Sequence, residues 1–259
     1  MFDYAYLVEI LTPMRSGKQP DKDKMDLFAG KYRETLEAGC GLSVPDNPMG
    51  RPRYSLLEMI QLCHLPVRTE KTVMNLNTFH EKNELDDRLN TAAALGIKYV
   101  LVIRGDGGPA LPKLEPKSIG GKRSVATTMD LLTYINREYA DVFVTGAAFN
   151  QYNRFPFESD RLKQKLEAGA RFVVTQPVIG KDRHVDLLES FGIQVVIEAW
   201  MSENVGLLLK SVGRNEVKSS EAYDPVKNLQ ILHDAYSNHC VYLSMLDFRT
   251  DWKAMLPKL

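Results

Sequence analysis

The feature that most constrains this chain is a repeated alternation. Short, nearly continuous apolar runs are separated by amphipathic or charged helical stretches, eight times over in 259 residues. That is one unit per roughly 32 residues. Residues 6–11, 41–44, 71–79, 99–103, 142–148, 172–176, 194–199 and 241–246 read as strands. Helices are expected at 23–37, 56–65, 83–95, 124–139, 159–168, 184–191, 203–212, 225–238 and 250–255. Ser55 followed by Glu58 has the spacing of a capping box ahead of the second helix. Strands separated by helices pair in parallel, and parallel strands covered on both faces read as unbroken aliphatic runs. Tyr99-Val100-Leu101-Val102-Ile103 is the clearest of them. Eight such units at this length are the pattern of a (β/α)8 (TIM) barrel. An open doubly wound sheet is the competing architecture, but no glycine-rich fingerprint follows the first strand. No stretch reads as an interdomain linker, so the expectation is one α/β barrel domain over residues 1–259.

Composition enters as a set of exclusions. The 33 Lys and Arg balance the 33 Asp and Glu, which leaves no electrostatic footprint for nucleic acid or an anionic membrane. Cys40, Cys63 and Cys240 are too few and too unevenly spaced for a disulfide framework or a zinc cluster. No apolar run approaches the ~18–20 residues of a membrane span, and the N-terminal segment turns polar too early for a signal peptide. A cytoplasmic globular protein is expected. No His and acidic pair has metal-ligand spacing, so no metal is expected either. Neither a Gly-x-Ser-x-Gly elbow nor a phosphate-binding Gly-x-x-x-x-Gly-Lys-Ser/Thr loop occurs.

A barrel carries its chemistry at the C-terminal ends of its strands. In this chain those positions hold Glu9, Asp46, Asn47, Asn75, Asn77, Arg104, Asp106, Asn150, Gln151, Gln176, Glu198 and Asp247. Such a ring suits hydrogen bonding to a flat polar molecule and movement of a proton. Glu9 lies between Val8 and Ile10; facing the barrel axis, it would be desolvated and usable as a general acid near neutral pH. The other reading of Glu9 is an ion-paired or surface carboxylate. Arg104 and Asp106 either converge at the turn of Gly105 or form an ordinary loop ion pair. Gln176, fixed by Pro177, either reaches a ligand or caps backbone.

Four segments resemble the methylenetetrahydrofolate reductases, a family of folate-linked flavoprotein barrels. They are Val8-Glu9-Ile10-Leu11-Thr12-Pro13, Gly96 through Arg104-Gly105-Asp106, Gly146-Ala147-Ala148-Phe149, and Leu162-Lys163-Gln164-Lys165 through Thr175-Gln176. All four stand in the family's order at strand ends counted independently. The resemblance implies reduction of 5,10-methylenetetrahydrofolate to 5-methyltetrahydrofolate, with hydride from NADH or NADPH passing through FAD. It implies that Glu9 protonates the folate N10, that Asp106 lies between flavin and pterin, and that Gln176 hydrogen-bonds the pterin. Asn75, Arg104, Gly105, Asp106, Phe149 and Lys165 fall at the family's flavin-contact positions.

The chain also departs from the family. Asn75-Leu76-Asn77 stands where the family has His-Leu-Thr, and Phe149 stands where it has Tyr. Glu158, Arg161 and Gln164 replace a flavin-side Asp, Asn and Arg. Most changes fall on the flavin side, whereas Glu9, Asp106 and Gln176 persist. A divergent member is expected, with a tetrahydrofolate derivative as its ligand. Two alternatives stay open. One is a flavin-independent, NADH-dependent reductase. The other is a folate-binding or methyl-transfer subunit that works with a partner protein. The chain could act as a homo-oligomer or beside a partner subunit.

Overall fold

The computed structural model of the protein describes residues 2–15, 21–212 and 223–257. Eight parallel strands close on themselves in sequence order. They are β1 (Tyr6–Glu9), β2 (Gly41–Val44), β3 (Thr72–Leu76), β4 (Tyr99–Val102), β5 (Val144–Phe149), β6 (Phe172–Thr175), β7 (Gln194–Trp200) and β8 (Cys240–Ser244). The outer layer holds α1 (Lys22–Glu37), α2 (Leu56–Leu62), α3 (Lys82–Ala94), α4 (Thr128–Glu138) and α5 (Phe155–Glu167). It is completed by α6 (Arg183–Asp186), α7 (Val205–Ser211) and α8 (Pro225–Ala235). The closing pair aligns Tyr6 with Val241 and Val8 with Leu243. The expected (β/α)8 barrel is therefore the observed one.

Strand alternation sorts the side chains into two cores. Leu7, Val73, Tyr99, Leu101, Phe172, Val174, Val196 and Tyr242 fill the barrel interior. Phe2 plugs its lower end, edge-on to Phe172 at a ring distance of 5.1 Å. Two inward glycines make room for these rings. A Cβ on Gly41 would stand 2.3 Å from the Tyr4 ring, and one on Gly146 would stand 2.2 Å from that of Phe172. The intervening residues, such as Val8, Leu42, Val100 and Ala147, face the helices and join Leu85, Leu89 and Ala92 of α3 in the outer core. Toward the C-terminal ends the inward residues turn polar: Glu9, Ser43, Asn75, Glu198 and Ser244. The polar mouth is thus built on a dry, aromatic plug.

Several element ends differ from expectation for local reasons. β3 stops at Leu76 rather than at residue 79, because the Asn77 N–H turns to Asp46 Oδ2 (3.0 Å) and leaves the ladder. α4 starts at Thr128 rather than 124. Thr127 caps it, accepting from the Asp130 N–H (3.2 Å) while Asp130 accepts from the Thr127 N–H (2.9 Å). α5 starts early, at Phe155, where Pro156 occupies the first turn without needing a donor. The capping box of Ser55 and Glu58 forms as expected.

Candidate active site

The floor of the mouth is made by β7, β8, β1, β2 and β3. Glu9, the last residue of β1, points inward. Its Oε2 accepts from the Tyr242 hydroxyl at 2.8 Å, and its Oε1 accepts from the Met245 N–H at 3.4 Å. Met245 sits at φ 60°, a conformation side-chain-bearing residues seldom adopt. Backbone strain of this kind concentrates where a fold aims groups at a site. Burial raises the Glu9 pKa, opposed by the Tyr242 and Met245 hydrogen bonds and by the charge of Arg53. A second inward carboxylate, Glu198, pairs in register with Tyr242 across β7 and β8. Burial pushes it up to about 8; the Ser244 hydrogen bond opposes the rise and the charge of Glu9 adds to it. Two such carboxylates in one dry site hold at least one proton near neutral pH. Next to them Ser43 donates to Asn75 Oδ1 at 2.9 Å, so Asn75 lies in the floor rather than on the rim.

Gln176 follows β6 and is half-buried. Its main chain is held by Gln151, which accepts from the Gln176 N–H (3.1 Å) and donates to its carbonyl (2.8 Å). Among the described residues its side-chain amide has no protein partner. It is therefore a half-buried side-chain amide at a strand end whose backbone is held by Gln151. The capping role falls instead to Gln151.

The loop after β4 is locked to the loop after β2. Asp106 is exposed, and its Oδ2 accepts from the Met49 N–H at 2.7 Å. The two backbones cross at glycines: a Cβ on Gly50 would stand 1.6 Å from the Gly107 carbonyl oxygen. Arg104 does not pair with Asp106. Gly105, at φ +80°, packs on Asn77, where a Cβ would come within 2.8 Å of the Asn77 Cβ. Asn77 is in turn fixed by Asp46, which also meets His80 Nε2 at 2.6 Å. Burial pulls the His80 pKa down, but its bonds to Asp46 and Glu84 outweigh that and hold the imidazole above its ordinary value. This buried pair braces the turn that carries Gly105 and Asp106.

On the opposite side, β4, α4 and α5 frame a cleft of about 510 Å³ lined by Arg104, Arg123 and Arg161 and by Thr127 and Thr128 at the start of α4. None of the three guanidiniums has a carboxylate within ion-pair distance among the described residues. Asp160, the one acid in the lining, pairs with Lys163. A second cleft of about 170 Å³ shares Arg104, Thr128 and Arg161 and leads down to Lys165 and Glu158. Lys165 donates to the Ala148 carbonyl at 2.6 Å and lies 3.3 Å from Glu158. Burial lowers the Lys165 pKa, and Glu158 opposes the shift. Unpaired guanidiniums at a helix N-terminus favour phosphate groups. The residues present therefore fit the pyrophosphate of a dinucleotide, whether flavin or nicotinamide.

Alternation along β5 turns Ala148 toward the mouth and Phe149 toward the helices, where it is fully buried in the outer core. Sequence reasoning also passes over Tyr242, Ser43 and Arg53. Tyr242 and Ser244 stand two apart in an apolar run, the one signal that marks them as sharing the inward face. The long segment between β4 and α4 brings Arg123 into the cleft.

The chain is similar to several known proteins. The family profile described as methylenetetrahydrofolate reductase matches residues 40–198. A probable methylenetetrahydrofolate reductase (NADH) of Oryza sativa subsp. japonica is 30% identical over 121 residues, covering 41% of this chain and 20% of that protein. Methylenetetrahydrofolate reductase 2 of Schizosaccharomyces pombe is 32% identical over 134 residues, covering 47% of this chain and 20% of that protein. The match thus spans a fifth of the length of these curated relatives. Among solved structures, an uncharacterized protein from Clostridium thermocellum that binds two copies of 5-methyl-5,6,7,8-tetrahydrofolic acid superposes with a TM-score of 0.63. The identity is 10%, over 98% of this chain and 94% of that one. A 7,8-dihydropteroate synthase from Vibrio fischeri reaches 0.50 at 12% identity, over 98% and 90%. At these identities the structural likeness is one of fold.

Proposed function

The chain belongs to the methylenetetrahydrofolate reductase family, and on that premise we propose that it reduces 5,10-methylenetetrahydrofolate to 5-methyltetrahydrofolate with hydride from NADH or NADPH. The observation that carries this reading is Glu9, an inward carboxyl on the barrel floor, oriented by Tyr242 and the Met245 N–H and raised in pKa by burial. A protonated Glu9 delivers its proton to N10 as the bond from N10 to the bridging methylene breaks. The iminium left at N5 accepts hydride and becomes the methyl group. General acid help of this kind is worth about 10²–10⁴ in rate. Gln176 presents a free amide to the pterin edge. Asp106, exposed on the opposite rim, offers negative charge to the electron-poor pterin, and its Met49 contact fixes its orientation. Glu198, close enough to feel the charge of Glu9, is placed to restore the proton.

Arg104, Arg123 and Arg161 would hold the pyrophosphate of FAD in the cleft beside the mouth, with Lys165 nearer the barrel. When bound there, FAD supplies a relay for hydride between NAD(P)H and the folate. A second reading, direct transfer from the nicotinamide without flavin, is favoured by two observations. Phe149 packs away from the mouth, and the loop lock ties up the Asp106 carboxylate.

The test is a visible spectrum of the purified protein, followed by NADH oxidation with methylenetetrahydrofolate. Stoichiometric flavin and folate-dependent oxidation are expected. Oxidation by a colourless protein, even after incubation with FAD, would establish the second reading. No folate-dependent oxidation with either cofactor state would end the reductase reading in favour of a partner-dependent folate protein.

A further inference from the structure

Behind the Asp106 turn lies a cluster of charges that the reductase reading leaves without a task. His80, just ahead of α3, and Glu84 and Arg88, within it, follow at intervals of four and share one helix face. Asp46, from the loop after β2, closes them into a ring of alternating sign. Asp46 Oδ2 meets His80 Nε2 at 2.6 Å, and His80 Nδ1 lies 3.4 Å from Glu84. Glu84 meets Arg88 at 2.8 Å, and Arg88 returns to Asp46 Oδ1 at 3.8 Å. Asp46 and His80 are both buried. Desolvation offsets most of what a buried ion pair contributes to stability, so its use is to be sought in what it holds in place.

Two routes of contact run from Asp46 to Asp106. Along the loop after β2, Asp46 Oδ1 accepts from Asn47 Nδ2 at 3.3 Å, and Asn47 Oδ1 accepts from the Arg53 N–H at 2.8 Å. Asn47 and Met49 sit at φ 48° and 59°, left-handed conformations that side-chain-bearing residues keep only when their surroundings hold them. Those turns present the Met49 N–H to Asp106 Oδ2. Along the loop after β3, the Asp46 side chain accepts from the Asn77 N–H, and its carbonyl accepts from Asn77 Nδ2 at 2.7 Å. Thr78 Oγ1 then donates to the Arg104 carbonyl at 2.9 Å. Gly107 packs on the next residue, where a Cβ would stand 2.7 Å from the Phe79 ring. The Asp106 turn thus rests between two loops that meet at Asp46. Among the described residues the Met49 N–H is the sole partner of the Asp106 carboxylate.

We propose that Asp46, with His80 as its counter-ion, is a positioning residue for Asp106. It touches no ligand. Its carboxylate fixes both loops, and through them the direction in which the Asp106 carboxylate points. The consequence for turnover rests on the folate reading above; the consequence for the bond between Asp106 and Met49 does not. A neutral amide at position 46 accepts more weakly than a carboxylate and leaves His80 and Arg88 without their shared anion.

The test is hydrogen exchange at the Met49 amide, followed by NMR on the whole protein, together with folate-dependent NADH oxidation. A bond to a charged acceptor protects an amide by about tenfold or more. Asp46→Asn should therefore speed exchange at Met49 about tenfold, close to the rate in Asp106→Asn. Strand amides that stay protected show that the variant is folded. His80→Gln, which keeps a donor but loses the charge, should fall between Asp46→Asn and the parent. In turnover, Asp46→Asn should lower kcat by about tenfold or more. In the Asp106→Asn background it should lower kcat less than about twofold, because a residue acting through another has nothing left to act on. A Met49 amide that exchanges at the parent rate in both variants, or losses of kcat that multiply independently, overturns the positioning role. A parent protein without folate-dependent oxidation ends the reductase reading instead, and the Met49 amide still decides the role of Asp46.

Discussion

The two sides of the barrel mouth are built on opposite principles. On the side of β7, β8 and β1, Glu9 and Glu198 lie deep, flank one tyrosine and have raised pKa values because burial penalises their charge. On the side of β4 and β5, the arginines line an open cleft and have no carboxylate partners among the described residues. The first arrangement stores and directs a proton. The second attracts an anion. The difference teaches that one barrel mouth can carry a carboxylate side and a cation side on separate supports. The two sides share no side-chain hydrogen bond among the described residues.

That separation can be broken or sharpened by substitution. The largest effect is expected for Glu9→Gln, which should slow folate reduction by at least about 100-fold. It should leave reduction of bound flavin by NADH nearly unchanged in a stopped-flow experiment. Equal loss in both half-reactions would mean that the two sides are coupled. Next comes Arg104→Ala combined with Arg161→Ala. Loss of charged contacts to phosphate at roughly 1.5–3 kcal/mol each predicts dinucleotide binding weakened by 10-fold or more. Folate affinity should hold; a parallel loss there would refute the division.

A smaller effect is expected for Tyr242→Phe. Removing the hydroxyl deletes a hydrogen bond that lowers the Glu9 pKa, so the alkaline limb of the pH–rate profile, where the general acid loses its proton, should move to higher pH, with about a tenfold change in rate. A downward move would contradict the assigned direction. The smallest concerns Glu198→Gln. The folded pKa of about 8 exceeds the ordinary carboxylate value, so the folded state binds the proton more tightly than the unfolded chain. Stability from this group is complete below pH ~4.5 and is lost as pH rises toward 8. The substitution should flatten that decline between pH 5 and 8 in urea unfolding. An unchanged slope between pH 5 and 8 would show that Glu198 titrates normally.

Much of the acid side is legible in the chain's own pattern. Glu9 stands inside an aliphatic run, and strand periodicity needs only a choice of face to put it on the axis. Gln176 stands at a strand end ahead of Pro177. Its free amide emerges only once Gln151, 25 residues earlier, takes over its backbone. The cation side is not legible in that way. Arg104 and Arg123 come from opposite ends of the segment between β4 and α4, Arg161 comes from α5, and the three line one cleft only where α4 and α5 meet. The bond between Met49 and Asp106 spans 57 positions. Ala148 and Phe149 face opposite ways for a local reason: a one-residue step along a strand reverses the face.

By itself the sequence determined the alternation of eight strands and helices, the apolar interior and the ring of polar strand ends. Those depend on period and composition, which are local properties of the chain. Tertiary structure alone decided which polar ends meet, which carboxylates lose their water, and which cations are left without partners. Proximity and burial are set by barrel closure, and no local pattern encodes them.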